Sequence, residues 1–415
     1  MAVYSTKKIA LVHDYLLRLG GAERVLKVLH EMFPDAPIYA VVYEEGFVKR
    51  FFGDVKVRGS FLQHLPSFLR RRYTYLSFLI PIAVEQLDLA EFDIVISSCS
   101  AFCKGVLTRP DAIHFCYCHT PTRFLWDFAH AYSHLDKARG MAGFFGRILF
   151  HFLRIWDREA ARRVDFFIAN SKHIAKRIRK YYGREAKVIY PPVEIGECGI
   201  DFRAHSRPAS AGLRGSGGFG MVSAEGGPKP PSNPLESNAA LPPDVYYLIV
   251  SQLRAYKEID VAIEAFKKLG FTLVIIGEGD ERKRLEALAK GFQNIQFLGW
   301  QRDEVVARYY EQCYALIFPG EEDFGMTMVE AMASGKPVLA LRRGGAKEIV
   351  IEGITGEFFD DTHPVVLADG VRRLRQNYSQ YSPHVIQKIA QKFSKERFSS
   401  GLLELIEKYC TMELR

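Results

Sequence analysis

Cysteine is scarce and follows no pattern. There are seven, an odd number, at Cys99, Cys103, Cys116, Cys118, Cys198, Cys313 and Cys410. A scattered, odd set builds no disulfide framework, so a reducing compartment is expected. Long apolar runs are missing as well. A helix that spans a bilayer needs about 20 apolar residues, and the nearest stretch, Leu76 to Val84, is interrupted by Pro81. No leader is visible ahead of the first strand, so the expectation is a cytoplasmic protein, at most peripheral on the inner face of a membrane. No D-x-D triplet occurs, which removes the obvious carboxylate mount for Mg²⁺; no metal and no cofactor are expected. Zinc-finger spacing, an RNP-like aromatic motif and a strongly basic tail are absent too, and nucleic acid is not expected as a partner. The charge balance is nonetheless basic, +8 over 415 residues with a pI of about 9.0. Such a balance suits acidic ligands or an anionic membrane surface. The length predicts two or three domains at about 150 residues each.

The most informative stretch is Phe318 to Val350, FPGEEDFGMTMVEAMASGKPVLALRRGGAKEIV. The apolar run Tyr314 to Phe318 predicts a buried strand ending at Pro319-Gly320. An acidic turn, Glu321-Glu322-Asp323, leads through Phe324-Gly325 into a helix from Met326 to Ser334, closed by Gly335 and Pro337. Val338 to Leu341 predicts the next strand, and Gly344-Gly345 precedes another helix. Strand, loop, helix, strand, loop, helix is the order of a parallel α/β sheet. Gly325 lets backbone approach a ligand, and the helix start presents unpaired N–H groups with partial positive charge, an anion site suited to phosphate. Glu322 and Glu330 bracket it with seven residues between them. Carboxylates accept hydroxyls well. Phosphate between two polyol ends describes a nucleotide sugar; a surface turn with a solvated helical Glu is the plain alternative.

This stretch resembles the E-x7-E signature of the retaining glycosyltransferases of family 4, which have the GT-B fold. Both carboxylates match, as do the Phe-Gly between them and the following A-x-A-x-G-K-P. The resemblance implies two facing Rossmann-like domains with parallel sheets and a C-terminal helix returning to the N-terminal domain. It implies that Glu322 meets the donor sugar's hydroxyls and Glu330 the ribose. Backbone amides at Phe324, Gly325, Met326 and Thr327 would take the sugar and diphosphate. The boundaries expected are 1–195 for the N-terminal, acceptor-side domain, 196–243 for a flexible Gly/Pro/Ser-rich linker or insert, 244–392 for the nucleotide-sugar domain and 393–415 for the returning helix.

Along the N-terminal half, strands are predicted at Lys8–His13, Ile38–Val42, Phe92–Ser97, Ile113–Cys118 and Asp165–Ala169. Gly20-Gly21, between the first strand and its helix, is weak evidence of an anion loop by itself; by resemblance it faces the donor phosphate and acceptor. His119 closes a parallel strand at its carboxyl end, where such sheets bind ligands, and resembles the family's cleft histidine. Arg123 and Trp126 follow and are expected on the acceptor side. His114, Cys116 and Cys118 alternate on one strand, a zinc set of unusual spacing; buried small residues are the favoured reading. Phe51 to Phe78, with Arg70-Arg71-Arg72, has helical apolar spacing. The basic, aromatic segment Gly140 to Tyr182 is expected on the acceptor and membrane-facing side.

In the C-terminal half, Tyr246–Val250 is a strand followed by Gln252, Arg254 and Lys257. By resemblance Lys257 pairs with the leaving diphosphate as a point charge. Gln252 stands where relatives often carry Arg, and Arg254 is the candidate substitute. Gly277, ending the strand Phe271–Ile276, is expected near base and ribose. The N-terminal motifs VHD…GGAE, SFLQHLP, YCHTPTR and FIANS look like bacterial mannosyltransferases of surface-polysaccharide assembly. The resemblance thus implies a retaining, metal-independent transfer of mannose from GDP-mannose to a glycan or lipid-linked acceptor. His119, Glu322 and Lys257 would carry the chemistry. A catalytically silent nucleotide-sugar binder and a non-transferring GT-B enzyme such as an epimerase remain open.

Overall fold

The computed structural model describes residues 6–66, 70, 78–127, 141–194 and 245–412. The expected linker 196–243, Cys198, and Phe68, Leu69, Arg71 and Arg72 lie outside them.

Thirteen strands form two sheets among the described residues. The first holds β1 (Ile9–Leu16), β2 (Ile38–Tyr43), β3 (Val57–Gly59), β4 (Ile94–Cys99), β5 (Ile113–Cys118), β6 (Phe166–Ala169) and β7 (Ala186–Val188), in the order β3-β2-β1-β4-β5-β6-β7. The second holds β8 (Tyr246–Val250), β9 (Thr272–Ile276), β10 (Ile295–Gly299), β11 (Ala315–Phe318), β12 (Val338–Leu341) and β13 (Gly356–Phe359), in the order β10-β9-β8-β11-β12-β13. Every pairing is parallel. Each sheet reverses its winding direction next to its first strand, and ligands of open α/β sheets bind at the carboxyl ends of the strands there. β1 and β8 are these switch strands, and both end in the cleft between the domains.

The strand interiors explain the fold. β4, β5, β11 and β12 are buried along their whole length, as parallel strands covered on both faces must be. The N-terminal sheet has a core on each face; one includes Phe398, Leu402, Leu405, Ile406 and Cys410 of the last helix, Lys395–Met412. That helix returns to the N-terminal domain, and Lys395 pairs with Glu31 there. Within Phe51 to Phe78, the described part from Val57 to His64 departs from helical spacing: it contributes the edge strand β3 and a short 3-10 turn, Phe61–His64. Gln63 holds that turn to β2 by exchanging hydrogen bonds with the Tyr43 backbone, a tertiary tie that overrides local propensity.

Candidate active site

A cleft of about 2280 Å³ runs between the two domains. Gly20, Gly21, His119, Arg123, Gln252, Arg254, Lys257, Gly277, Glu322, Phe324, Gly325, Met326, Thr327 and Glu330 all line it. Trp126 does not, and this corrects its placement on the acceptor wall. Its indole N–H donates to Asp157 at 2.7 Å and its ring stacks on Tyr181. Asp157, fully buried, also accepts from Lys104, Thr122 and Tyr182. An amphipathic ring with a buried N–H must find a partner, and the inward carboxylate outcompetes the cleft.

The C-terminal wall is built on β11 and the helix Met326–Ala333. Gly325 initiates that helix at φ 101, in the left-handed region where an L side chain is strained. A Cβ there would also come within 2.3 Å of Met328 and 3.1 Å of the Phe318 ring. The chain thus turns tightly enough to aim the helix start into the cleft. Gly345 N–H donates to the Glu322 carbonyl at 2.9 Å, tying the second glycine loop to the first. Glu322 pairs with Lys257. One turn into the helix, Glu330 accepts from the Tyr310 hydroxyl at 2.8 Å. Burial pushes the Glu330 carboxyl up, against the pull of the Arg24 guanidinium and the Tyr310 hydroxyl. Arg254 pairs with Asp280, three residues beyond Gly277, and both side chains line the cleft.

The N-terminal wall presents the Gly20-Gly21 turn. A Cβ on Gly21 would sit 3.3 Å from the Met326 sulfur, so this turn abuts the start of the opposing helix. His119 accepts or donates at Nε2 with Ser98 Oγ, 2.9 Å away. Burial and the neighbouring His13 hold its pKa down to about 3, so the imidazole is neutral near pH 7. His114 lies deeper, its Nε2 2.7 Å from Ser97 Oγ. The candidate zinc trio is not gathered. Among the described residues the one metal-like cluster is Asp14, Cys99 and Cys103, and the Asp14 carboxylate already accepts four backbone N–H groups, from Ser100 to Cys103.

Residues with no motif of their own complete the junction. Arg24 pairs with Asp303 across the cleft at 2.6 Å. Asp323 accepts from Arg123 and Arg177, and Glu348 accepts the backbone N–H of Lys172 and His173. The acidic turn before the helix hinted at Asp323, and Arg123 was expected on the acceptor side; sequence spacing carries no signal for Arg24, Asp303, Arg177 or the Glu348 contact.

Residues 19–197 match the model of "Glycosyltransferase Family 4", and residues 236–393 that of "Glycosyl transferases group 1". The chain belongs to glycosyltransferase family 4. Among curated relatives of this family 4 chain is the D-rhamnosyltransferase WbpZ of Pseudomonas aeruginosa. It is 30% identical over 162 residues, 38% of this chain and 42% of that protein. Another is the O-antigen chain mannosyltransferase C of Escherichia coli, 26% identical over 140 residues, 32% of this chain and 38% of that one. The chain therefore spans about two fifths of the length of these relatives. Solved structures extend the likeness to the whole fold. HepE of Anabaena, in complex with UDP-glucose, is 17% identical with a TM-score of 0.65, covering 97% of this chain and 100% of that one. The outer core galactosyltransferase WaaB is 18% identical with a TM-score of 0.60, covering 97% and 99%. The architecture of the family 4 chain is GT-B.

Proposed function

We propose that this protein transfers a hexose from a nucleotide sugar to a glycan or lipid-linked glycan, with retention at the anomeric carbon. One observation carries the reading: Glu322 and Glu330 flank a helix start that opens into the cleft, with Lys257 beside Glu322. The amides of Phe324 to Thr327 hold the diphosphate, and Lys257 neutralises charge as it departs. Glu322 holds the sugar's hydroxyls and Glu330 the ribose. The bond from the anomeric carbon to the phosphate oxygen breaks, and its electron pair stays with the diphosphate. The acceptor oxygen forms the new bond on the same face, and its proton passes to the leaving phosphate. Neutral His119 hydrogen-bonds the transferred sugar and carries no charge of its own. Lys257 and the helix start supply the positive charge that a metal supplies elsewhere, so the transfer is metal-independent.

The donor is GDP-mannose in this reading, supported by the N-terminal motifs and by a mannosyltransferase among the relatives; HepE's bound UDP-glucose makes UDP sugars the competing donors. The acceptor is presented at an anionic membrane. No described helix is long and apolar enough to cross one, but the helix Met141–Arg162 supports docking on it. Phe144, Ile148, Phe152 and Ile155 are 37–62% exposed. At their spacing they form one stripe, with Arg147, Arg154 and Arg158 along its edge. Asp157, on the buried side of the same helix, holds the loop that follows His119. A thermal-shift panel of nucleotide sugars, followed by a product assay with labelled donor, tests the proposal. Binding with product only when acceptor is added supports transfer. A shift by no nucleotide sugar refutes it, and an altered sugar without acceptor would mark an epimerase.

A further inference from the structure

Glu322 and Asp323 are neighbours in the loop before the helix Met326–Ala333, yet their carboxylates serve different domains. Glu322 takes Lys257 from its own domain. Asp323 Oδ1 takes Arg123 Nη2 and Arg177 Nη1 from the other, each at 2.8 Å. The Asp323 carbonyl also accepts from Ser171 Oγ at 2.7 Å. Arg177 Nη1 reaches Thr120 Oγ1 at 2.9 Å, one residue beyond His119. The side chains are well shielded: Asp323 is 14% exposed and Arg177 11%. Burial pushes the Asp323 carboxyl up, but the two guanidinium groups outweigh it and hold it below the ordinary range, so it is ionised. A second clamp lies alongside. Glu348 accepts the N–H groups of Lys172 and His173 at 2.8 Å each, capping the helix Lys172–Tyr182 from the opposite domain.

We propose that Asp323 is a positioning residue that sets the register between the two half-sites. Its single carboxylate ties the loop carrying Glu322 to the loop carrying His119, so the reacting groups align only when the Arg123–Asp323–Arg177 cluster is made. Most of the donor's contacts in the proposed site, the amides of Phe324 to Thr327, Lys257, Glu322 and Glu330, belong to the C-terminal wall, so donor affinity depends little on this cluster; turnover, which also needs His119 in register, depends on it strongly. The kinetic consequence rests on the transfer proposed above, whereas the structural one does not.

The test compares the full-length wild type with Asp323→Asn, which keeps shape and removes charge. Solution X-ray scattering reads domain separation. Calorimetry with GDP-mannose or UDP-glucose, whichever the wild type binds, reads donor affinity. The variant is expected to show a larger radius of gyration, donor affinity within about threefold, and kcat reduced about 100-fold, the scale of a 1 Å misalignment. Arg177→Lys, which keeps charge and loses the fork, is expected to lie between. Glu348→Gln loosens the second clamp without touching the donor loop and is expected to expand the molecule too. Unchanged scattering and kcat in Asp323→Asn would overturn the proposal. So would donor affinity falling in step with kcat, which would make Asp323 part of the donor site. If the wild type transfers no sugar, the functional reading falls, and scattering still decides the clamp.

Discussion

Replacing Glu330 by Gln separates a binding role from a structural one, because the two predict opposite signs. The carboxylate is buried, accepts one hydrogen bond from Tyr310 at 2.8 Å and feels Arg24 nearby. Burial raises its pKa, so at neutral pH its charge is held at a cost to the fold. Gln is nearly isosteric, keeps a carbonyl for Tyr310 and carries no charge. Arg24 is not orphaned, since Asp303 remains 2.6 Å away. The fold should therefore melt at the same temperature or higher. Donor affinity should move the other way. If Glu330 accepts two ribose hydroxyls, each charge-assisted bond contributes about 1.5 kcal/mol or more. The amide oxygen recovers only part of one. A net loss of about 2–3 kcal/mol is roughly 30- to 150-fold in Kd. Calorimetric titration of both proteins with the nucleotide sugar, beside melting curves without ligand, reads both quantities. A variant that melts lower and binds donor as tightly as wild type would refute the ribose role and make Glu330 a structural residue.

Three further outcomes are expected. Lys257→Ala should lower kcat about 10²- to 10³-fold, the usual loss of one charge-stabilising donor at a departing oxyanion; single-turnover kinetics with saturating donor would reveal an undiminished rate if Lys257 were only a partner for Glu322. His114 and His119 are held down to about 4 and about 3, against about 6.5 unfolded. The unfolded chain therefore binds more protons below pH 6.5, and stability present above that value is lost as pH falls toward the folded pKa values. His119→Gln should flatten this acid limb in melting curves taken from pH 7.5 downward, and an unchanged slope would show that its titration is uncoupled from folding. The pair Phe144→Ser and Phe152→Ser should abolish flotation with phosphatidylglycerol vesicles while leaving nucleotide-sugar binding intact; equal flotation would move the membrane surface elsewhere.

Much of the fold was legible in the chain because parallel strands buried on both faces are continuous apolar runs. Ile113–Cys118 and Val338–Leu341 coincide with their predicted bounds. β7, Ala186–Val188, was less so: as a short edge strand its apolar signal is weak. β3 gave no signal of its own, since only pairing with β2 makes it a strand. The E-x7-E loop was readable for a local reason. Glycine at positive φ, a helix start and two acids eight positions apart fall within one strand–loop–helix unit, so spacing alone brings them together.

Side-chain direction at the domain junction was decided elsewhere. Trp126 reads as a cleft aromatic until the buried Asp157 claims its N–H. Asp323 reads as turn polarity until Arg177, 146 residues away, reaches it from the other domain. Arg24 and Asp303 meet across 279 residues. Periodicity and turn chemistry are short-range properties, so the buried strands, the glycine turn before the helix Met326–Ala333 and its two flanking acids could be read from residue order. Which charges face one another across the cleft depends on how the two sheets close on each other, a long-range outcome that no local pattern encodes.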